Sequence, residues 1–246
     1  MIKLKNSRKD AETQRNKSLS FTSPLLSIKN VSNTYVSRKF GLLGKKEIKP
    51  VLKNINLDLR AGEIFGLTGK SGCGKTTLAY CILNLIGYEG EISFNGEIQT
   101  KNNHLIQMVF QEPGASLNPC KKIGWLLEEP LVIHKQGCAK TRMQKTDEML
   151  LRVGLDPSYK TRFIHELSGG QKQRVCIARA LILHPHFLIA DEAISSLDVS
   201  AGAQILNLFR ELHETLGLGI LFISHNKDAV DYLCERSAVM ENGKLA

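Results

Sequence analysis

No run of apolar residues in this chain approaches the roughly 18 that a membrane-spanning helix needs. The best candidate, Leu181 to Ala190, is interrupted by His184-Pro185-His186, so no segment is expected to cross a bilayer. Met1 to Ser20 lacks the apolar central region of a secretory signal, and its polar, charged character predicts a product that stays in the cytosol. There is no C-x-x-C pair. The six cysteines, Cys73, Cys81, Cys120, Cys138, Cys176 and Cys234, are scattered, which suits reduced thiols better than disulfides or a metal site. No stretch repeats, which predicts one core and not a tandem pair. The body of the chain also has no excess charge. All of the net charge of +9 falls in residues 1–50, with twelve Lys or Arg against three Asp or Glu, while the remainder holds 21 of each sign. A neutral body offers nucleic acid no electrostatic footprint. The basic part comprises a flexible tail over 1–24 and the loop from Arg38-Lys39 through Lys45-Lys46 to Lys49. It reads as a solvated extension, or as a weak attraction to an anionic membrane face.

What is present is a chain of 246 residues, 42% hydrophobic, enough for one good-sized domain or for a domain with a subdomain inserted in it. Its organising stretch is Gly69-Lys70-Ser71-Gly72-Cys73-Gly74-Lys75-Thr76-Thr77, which fits the phosphate-loop pattern G-x-x-x-x-G-K-[ST] at every required position. The apolar run Ile64 to Leu67 precedes it and a helical pattern from Thr76 to Leu83 follows, the strand–loop–helix setting in which the motif works. The glycines let the backbone curl so that successive N–H groups point inward, and the helix adds its positive end, making a cradle for a nucleotide's β-phosphate. Lys75 is suited to reach the β- and γ-phosphates, and the Thr76 hydroxyl to ligate Mg2+.

Around this loop the pattern predicts an α/β fold. Leu26 to Val31, leading to Tyr35, and Val51 to Leu59 alternate like strands of an antiparallel layer, the second ending at an Ala61-Gly62 turn, and Gly90 to Ile98 reads as a hairpin turning at Asn95-Gly96. Ile106 to Phe110, Phe187 to Ala190 and Ile220 to Ile223 have the length of buried parallel strands, with helical segments near 171–183 and 203–216 before the last two. From Pro113 to about His165 the texture turns to Gly/Pro breaks and helical stretches such as Thr141 to Val153, which predicts an inserted α-helical subdomain. In open α/β sheets ligands sit beyond the carboxyl ends of the strands. Here those ends deliver the phosphate loop, Gln111, Asp191-Glu192 and, through Ser224, His225 to one edge.

Asp191 is placed to hold the Mg2+ shell and Glu192 to polarise an attacking water, the plainer alternative being two carboxylates that cap the next turn. Gln111 offers a neutral amide that touches metal or water without adding charge. His225 is suited to contact the γ-phosphate or to orient the catalytic water. A second cradle lies at Leu167-Ser168-Gly169-Gly170-Gln171. Ser168 and Gln171 stand at capping-box spacing, and the bare N–H groups of the helix they open form another phosphate site. One nucleotide does not require two such cradles, so the second serves another ligand or completes the site of another subunit.

Leu167 to Gln171 resembles the signature of ATP-binding cassette (ABC) ATPases, and the resemblance covers nearly the whole chain beyond Ser27. It identifies Gly69 to Thr76 with the Walker A loop, Gln111 with the Q-loop glutamine and Leu188 to Glu192 with Walker B and its catalytic glutamate. Ser195-Ser196-Leu197-Asp198 resembles the D-loop and His225 the switch histidine. Tyr35 resembles the aromatic that stacks on adenine. The resemblance implies a P-loop NTPase core over 25–246 with an antiparallel β layer and an inserted helical subdomain near 113–165. It also implies ATP and Mg2+ as cofactors, and a head-to-tail dimer in which each ATP lies between one subunit's Walker A loop and the other's signature.

Phe110 to Pro119, Asp198-Val199-Ser200 and Gln204 to Leu208 are similar to the dipeptide/oligopeptide/nickel importer branch, and Ile123 to Leu131 to the second of the two ATPases such importers employ. Family members commonly have Pro-Thr where this chain has Ala193-Ile194, Lys70 replaces a glutamate common in the branch, and the chain stops soon after Asn242-Gly243, which is similar to the shorter nickel-type members. The expectation is an ATPase peripheral to the cytoplasmic face of the membrane, energising uptake of peptide, nickel or a metal chelate. Its expected partners are two membrane-spanning permease subunits, a related second ATPase and, indirectly, a solute-binding protein. The alternatives are a soluble ABC protein acting on ribosomes or DNA, and a regulatory partner with a dead site. The first usually carries two cassettes or a coiled-coil insertion, and the second is opposed by intact Lys75, Asp191, Glu192 and His225.

Overall fold

A computed structural model describes residues 24–38, 46–99 and 103–246. Nearly all of the expected basic tail, together with Lys39 and Lys45 of the basic loop, lies outside the described residues. Two sheets carry the fold. The antiparallel one pairs β1 (Leu26–Arg38), β2 (Lys46–Leu59), β4 (Glu89–Phe94) and β5 (Glu97–Ile98) in the order β2-β1-β4-β5. The other runs β10-β9-β3-β8-β7-β6, in which β3 (Ile64–Thr68), β8 (Gly219–Ile223), β7 (Phe187–Asp191) and β6 (Ile106–Val109) are parallel. The strand β9 (Arg236–Glu241) extends that parallel set beside β3 and turns back into the short β10 (Lys244–Leu245). β2 begins five residues earlier than its alternating pattern predicts, because β1 continues past Tyr35 and supplies a partner as far as Arg38.

The apolar runs of β7 and β8 are buried at every position because the parallel sheet is covered on both sides. Period-two alternation sorts their side chains. Leu188, Ala190, Ile220 and Phe222 join one core with α5 (Gly169–Leu181), α6 (Val199–Leu216) and α7 (Lys227–Leu233). Phe187, Ile189, Leu221 and Ile223 face the other core, shared with α1 (Lys75–Ile82) and the antiparallel layer.

Between β6 and α5 the insertion folds as expected into helices: α2 (Pro113–Ser116), α3 (Ile123–Ile133) and α4 (Ala139–Arg152), then two 3-10 turns at Pro157–Thr161 and Ile164–Glu166. Its ends are pinned together where the Ile123 amide donates to the Arg162 carbonyl and Lys122 bridges Phe163. None of the six cysteines is in a disulfide, and burial pushes Cys81 and Cys234 up to about 12. Among the described residues, no helix is long and apolar enough to cross a membrane.

Candidate active site

Register brings the chemistry to one edge. Leu67 of β3 pairs with Ile223 of β8, which pairs with Asp191 of β7, while Val109 of β6 pairs with Ala190. The next residues on each strand therefore leave the sheet side by side. They line one cleft of about 440 Å3 that holds Ser71, Gly72, Gly74, Lys75, Thr76 and Thr77 of the loop together with Val51, Gln111, Glu192 and His225. Four of the five strand-end groups expected from the sequence thus meet there, and Asp191 lies directly beneath as the preceding neighbour of Glu192.

The loop curls as its glycines allow, with φ of 148°, 78° and 117° at Gly69, Gly72 and Gly74. Gly69 is required for a second reason: a Cβ there would lie 2.3 Å from the Met240 carbonyl oxygen of β9. Lys75 is buried and its Nζ donates to the carbonyls of Gly69 (2.8 Å) and Lys70 (3.2 Å), with Cys73 Sγ at 4.0 Å. Its charge is thus held against the loop, directed to the space the N–H groups enclose. The Asn242-Gly243 turn, legible only as an ordinary β-turn signal, braces the same loop. The Gly243 amide donates to the Cys73 carbonyl at 3.1 Å, and the Gly243 carbonyl accepts from Lys53 at 2.8 Å.

Asp191 is 2% exposed, and its Oδ1 has no hydrogen-bond partner among the described residues. Burial raises its pKa, with the Thr76 hydroxyl pulling it back, Glu192 pushing it further up and Lys75 lowering it. A buried carboxylate oxygen with no donor, beside a threonine hydroxyl, is a donor set that suits a hard divalent cation.

Glu192 adopts φ of 49°, a left-handed conformation uncommon for a residue with a side chain. Its amide donates to the Ile223 carbonyl at 2.9 Å, and its carbonyl accepts from the amide and hydroxyl of Ser195 at 3.1 and 2.9 Å. This frame holds the backbone in place and turns the carboxylate to His225, whose Nδ1 lies 2.7 Å from Oε2. A carboxylate only accepts, so Nδ1 is the donor and Nε2 stays available to a second partner. The sequence placed His225 at this edge but did not reveal that its first partner is Glu192.

Tyr35 lies on β1 opposite Lys49, is 48% exposed, and so is not a core residue; Val51, two residues beyond Lys49, lines the cleft. The signature residues lie elsewhere. Ser168, Gly169, Gly170 and Gln171 border a separate opening of about 510 Å3, shared with Tyr159, Arg174, Asp198, Ser200, Ala201 and Gln204, and no residue lines both. The capping box forms as the spacing predicts. Ser168 Oγ accepts from the Gln171 amide at 3.4 Å and Gln171 Oε1 from the Ser168 amide at 3.0 Å. The N–H groups of Gly169 and Gly170, in the first turn of the helix, have no acceptor within it.

A third feature lies beside Gln111. β6 ends at Val109, one residue sooner than its apolar run predicts, because Phe110 turns outward. It joins Met108, Ile133, His134, Leu83 and Leu85 along a groove between the sheet and α3, with Leu85 and Ile133 exposed by 62% and 67%.

Residues 52–195 match the family model described as ABC transporter. The chain belongs to the ABC transporter family. As an ABC cassette it binds and hydrolyses ATP. It is similar to the oligopeptide transport ATP-binding protein OppF of Bacillus subtilis, at 42% identity over 235 residues covering 91% of this chain and 75% of that one. It is also similar to the glutathione import ATP-binding protein GsiA of Pectobacterium atrosepticum, at 43% identity over 234 residues, 90% of this chain but 37% of that one. Among solved structures, the ATP-binding cassette MJ0796, a dimer in a post-hydrolysis state bound to ADP and Pi, superposes with a TM-score of 0.76. It is 30% identical and covers 89% of this chain and 96% of that one. These relatives do not favour a role on ribosomes or DNA.

Proposed function

We propose that this ABC chain is the ATP-hydrolysing subunit of a peptide importer, acting at the cytoplasmic face of the membrane with a second, related ATPase and two membrane-spanning permease subunits. The observation that carries the reading is the division of the site: phosphate loop and hydrolytic groups share one cleft, while the signature cradle faces another opening. One chain then supplies half of each of two sites, and the dimeric state of MJ0796 supports that arrangement. Peptide as cargo is supported by the names of OppF and GsiA, an oligopeptide transporter and a glutathione importer. The apolar groove beside Gln111 suits the permease, since a segment seated there would sense movement of the residue that borders the cleft.

In this reading the loop amides of Gly69 to Thr77 hold the phosphates and Lys75 neutralises their charge. Thr76, Gln111 and Asp191 would hold Mg2+, which would supply electrostatic stabilisation for phosphoryl transfer. Glu192 accepts a proton from the attacking water, and His225, donating from Nδ1, keeps the carboxylate aimed at that water. The cradle from Ser168 to Gln171 closes on the partner's nucleotide.

Two expected results test these assignments separately. Tyr35→Ala should weaken ATP and GTP alike by roughly 1–3 kcal/mol, the range of base–aromatic stacking, since any purine offers a face; fluorescence titration with both nucleotides checks it. Asp191→Asn addresses the buried carboxylate. With its pKa raised, the folded chain binds the proton more tightly than the unfolded chain, so the ionised Asp191 costs stability as pH rises through the carboxylate range. At neutral pH, Asp191→Asn should therefore not lower the thermal midpoint of the nucleotide-free chain, while abolishing the gain in ATP affinity that Mg2+ gives.

The reading as a whole is tested by co-purifying the membrane subunits and reconstituting them with this chain in vesicles. ATP-dependent peptide accumulation that vanishes with Lys75→Ala is expected. Uptake of Ni2+ without peptide would replace the cargo, and co-purification with ribosomes in place of membrane proteins would overturn the importer.

A further inference from the structure

The signature cradle is held by a contact that its motif does not contain. The Gln171 carboxamide is fixed at both ends: Oε1 accepts from the Ser168 amide, and Nε2 donates to the Tyr159 hydroxyl at 3.0 Å. Tyr159 sits in the 3-10 turn Pro157–Thr161, which is itself tied down on several sides. Asp156 Oδ1 caps the turn by accepting from Ser158 at 2.8 Å, and Thr161 Oγ1 donates to the Ser158 carbonyl at 2.9 Å. Lys160 pairs with Asp147 of α4 at 2.8 Å. The following residue, Arg162, links to α3 through its carbonyl and lays its guanidinium 4.1 Å from the Tyr159 ring centroid. The ring therefore has little freedom, and its hydroxyl reaches α5 from a turn braced against α3 and α4.

We infer that Tyr159 is a positioning residue for the second phosphate cradle: its hydroxyl fixes the Gln171 carboxamide, and through it the capping box that aims the Gly169 and Gly170 amides at a partner's γ-phosphate. The inference rests on the shared-site reading above. The physical ground is that a carboxamide held at one end can still swing about its side-chain torsions. The Ser168 amide can only donate, so it takes Oε1 and leaves Nε2 to donate to the Tyr159 hydroxyl, and that second bond stops the swing. Without it the carboxamide is tethered at Ser168 alone, Ser168 loses its acceptor for part of the time, and the glycine amides lose their fixed direction. Tyr159 also places the helical subdomain in direct contact with the cradle, so a displacement of α3 and α4 by a permease would be felt at Gln171.

The test uses Tyr159→Phe, which removes only the hydroxyl, in a Glu192→Gln chain that binds ATP without turning it over. Sedimentation velocity reads ATP-driven association of the chain with its co-purified ATPase partner. Loss of one hydrogen bond predicts a roughly three- to tenfold higher ATP concentration for half-association. ATP affinity of the isolated chain should be unchanged, and its thermal midpoint lowered by no more than a few degrees, about the cost of one hydrogen bond. Because Tyr159 acts through Gln171, the double variant Tyr159→Phe/Gln171→Ala should associate no worse than Gln171→Ala alone. Unchanged association in Tyr159→Phe, or fully additive effects, would overturn the inference. A parallel Gly170→Asp chain separates the two levels: if it also associates normally, the shared site itself is wrong; if it fails to associate while Tyr159→Phe is normal, only the role of Tyr159 falls.

Discussion

Glu192→Gln is expected to keep ATP binding near its wild-type strength and to lower turnover by about 10²-fold or more, the scale of losing a positioned general base. The two halves of this expectation have separate causes. Binding resides in the loop from Gly69 to Thr77, where Lys75 and the inward-curled backbone act without the Glu192 carboxylate. Glutamine has the shape of glutamate and can still accept from His225 Nδ1, so the frame at φ of 49° persists. What the amide cannot do is take a proton. His225→Ala should also slow hydrolysis, since the carboxylate then loses its partner at 2.7 Å, but Glu192 keeps its basicity and the loss should be smaller. Steady-state ATPase assays with Mg2+ decide the matter, and near-normal turnover in Glu192→Gln would move the base elsewhere.

Gly170→Asp should abolish productive pairing while sparing the chain's own nucleotide site. A Cβ at Gly170 would lie 3.3 Å from the Ala201 Cβ, a contact that a shift of a few tenths of an ångström relieves, so the fold accepts a side chain there. An acidic residue in the first turn of α5 even favours the helix, by about 0.3–1 kcal/mol, through the positive end of the helix dipole. The same negative charge would face the γ-phosphate of a partner's ATP, where the low dielectric of a closed interface makes like charges costly. Stability and association should therefore move in opposite directions: thermal midpoint unchanged or raised, isolated ATP affinity unchanged, turnover of the pair collapsed. Loss of ATP binding by the isolated Gly170→Asp chain would mean that the cradle serves its own nucleotide.

Much of this was legible in the residues because the chemistry is local in sequence. The phosphate loop lies between a strand and a helix that its own pattern announces, Asp191-Glu192 ends a five-residue apolar strand, and Ser168 and Gln171 cap a helix three residues apart. The parallel strands were readable as unbroken apolar runs, since burial on both faces removes polar alternation. What was not legible depends on distant approach. The Asn242-Gly243 turn announces a bend but not that the bend supports Cys73. A glutamate gives no sign that it will take a left-handed conformation; the hydrogen bonds from Ser195 and to Ile223 impose it. Tyr159 carries no motif, and its link to Gln171 exists only because the turn at Pro157–Thr161 folds back over α5. Phe110 read as the last residue of a buried strand, yet the strand stops at Val109 and the ring joins the groove.

In this mechanism each ATP is enclosed by two chains, which sedimentation velocity of the Glu192→Gln chain with its ATPase partner can show. With Mg2+ and saturating ATP, this mechanism predicts a two-chain species that ADP does not produce and that Gly170→Asp removes. A distribution indifferent to nucleotide, or a single-chain species at saturating ATP in a variant that demonstrably binds it, would contradict the mechanism.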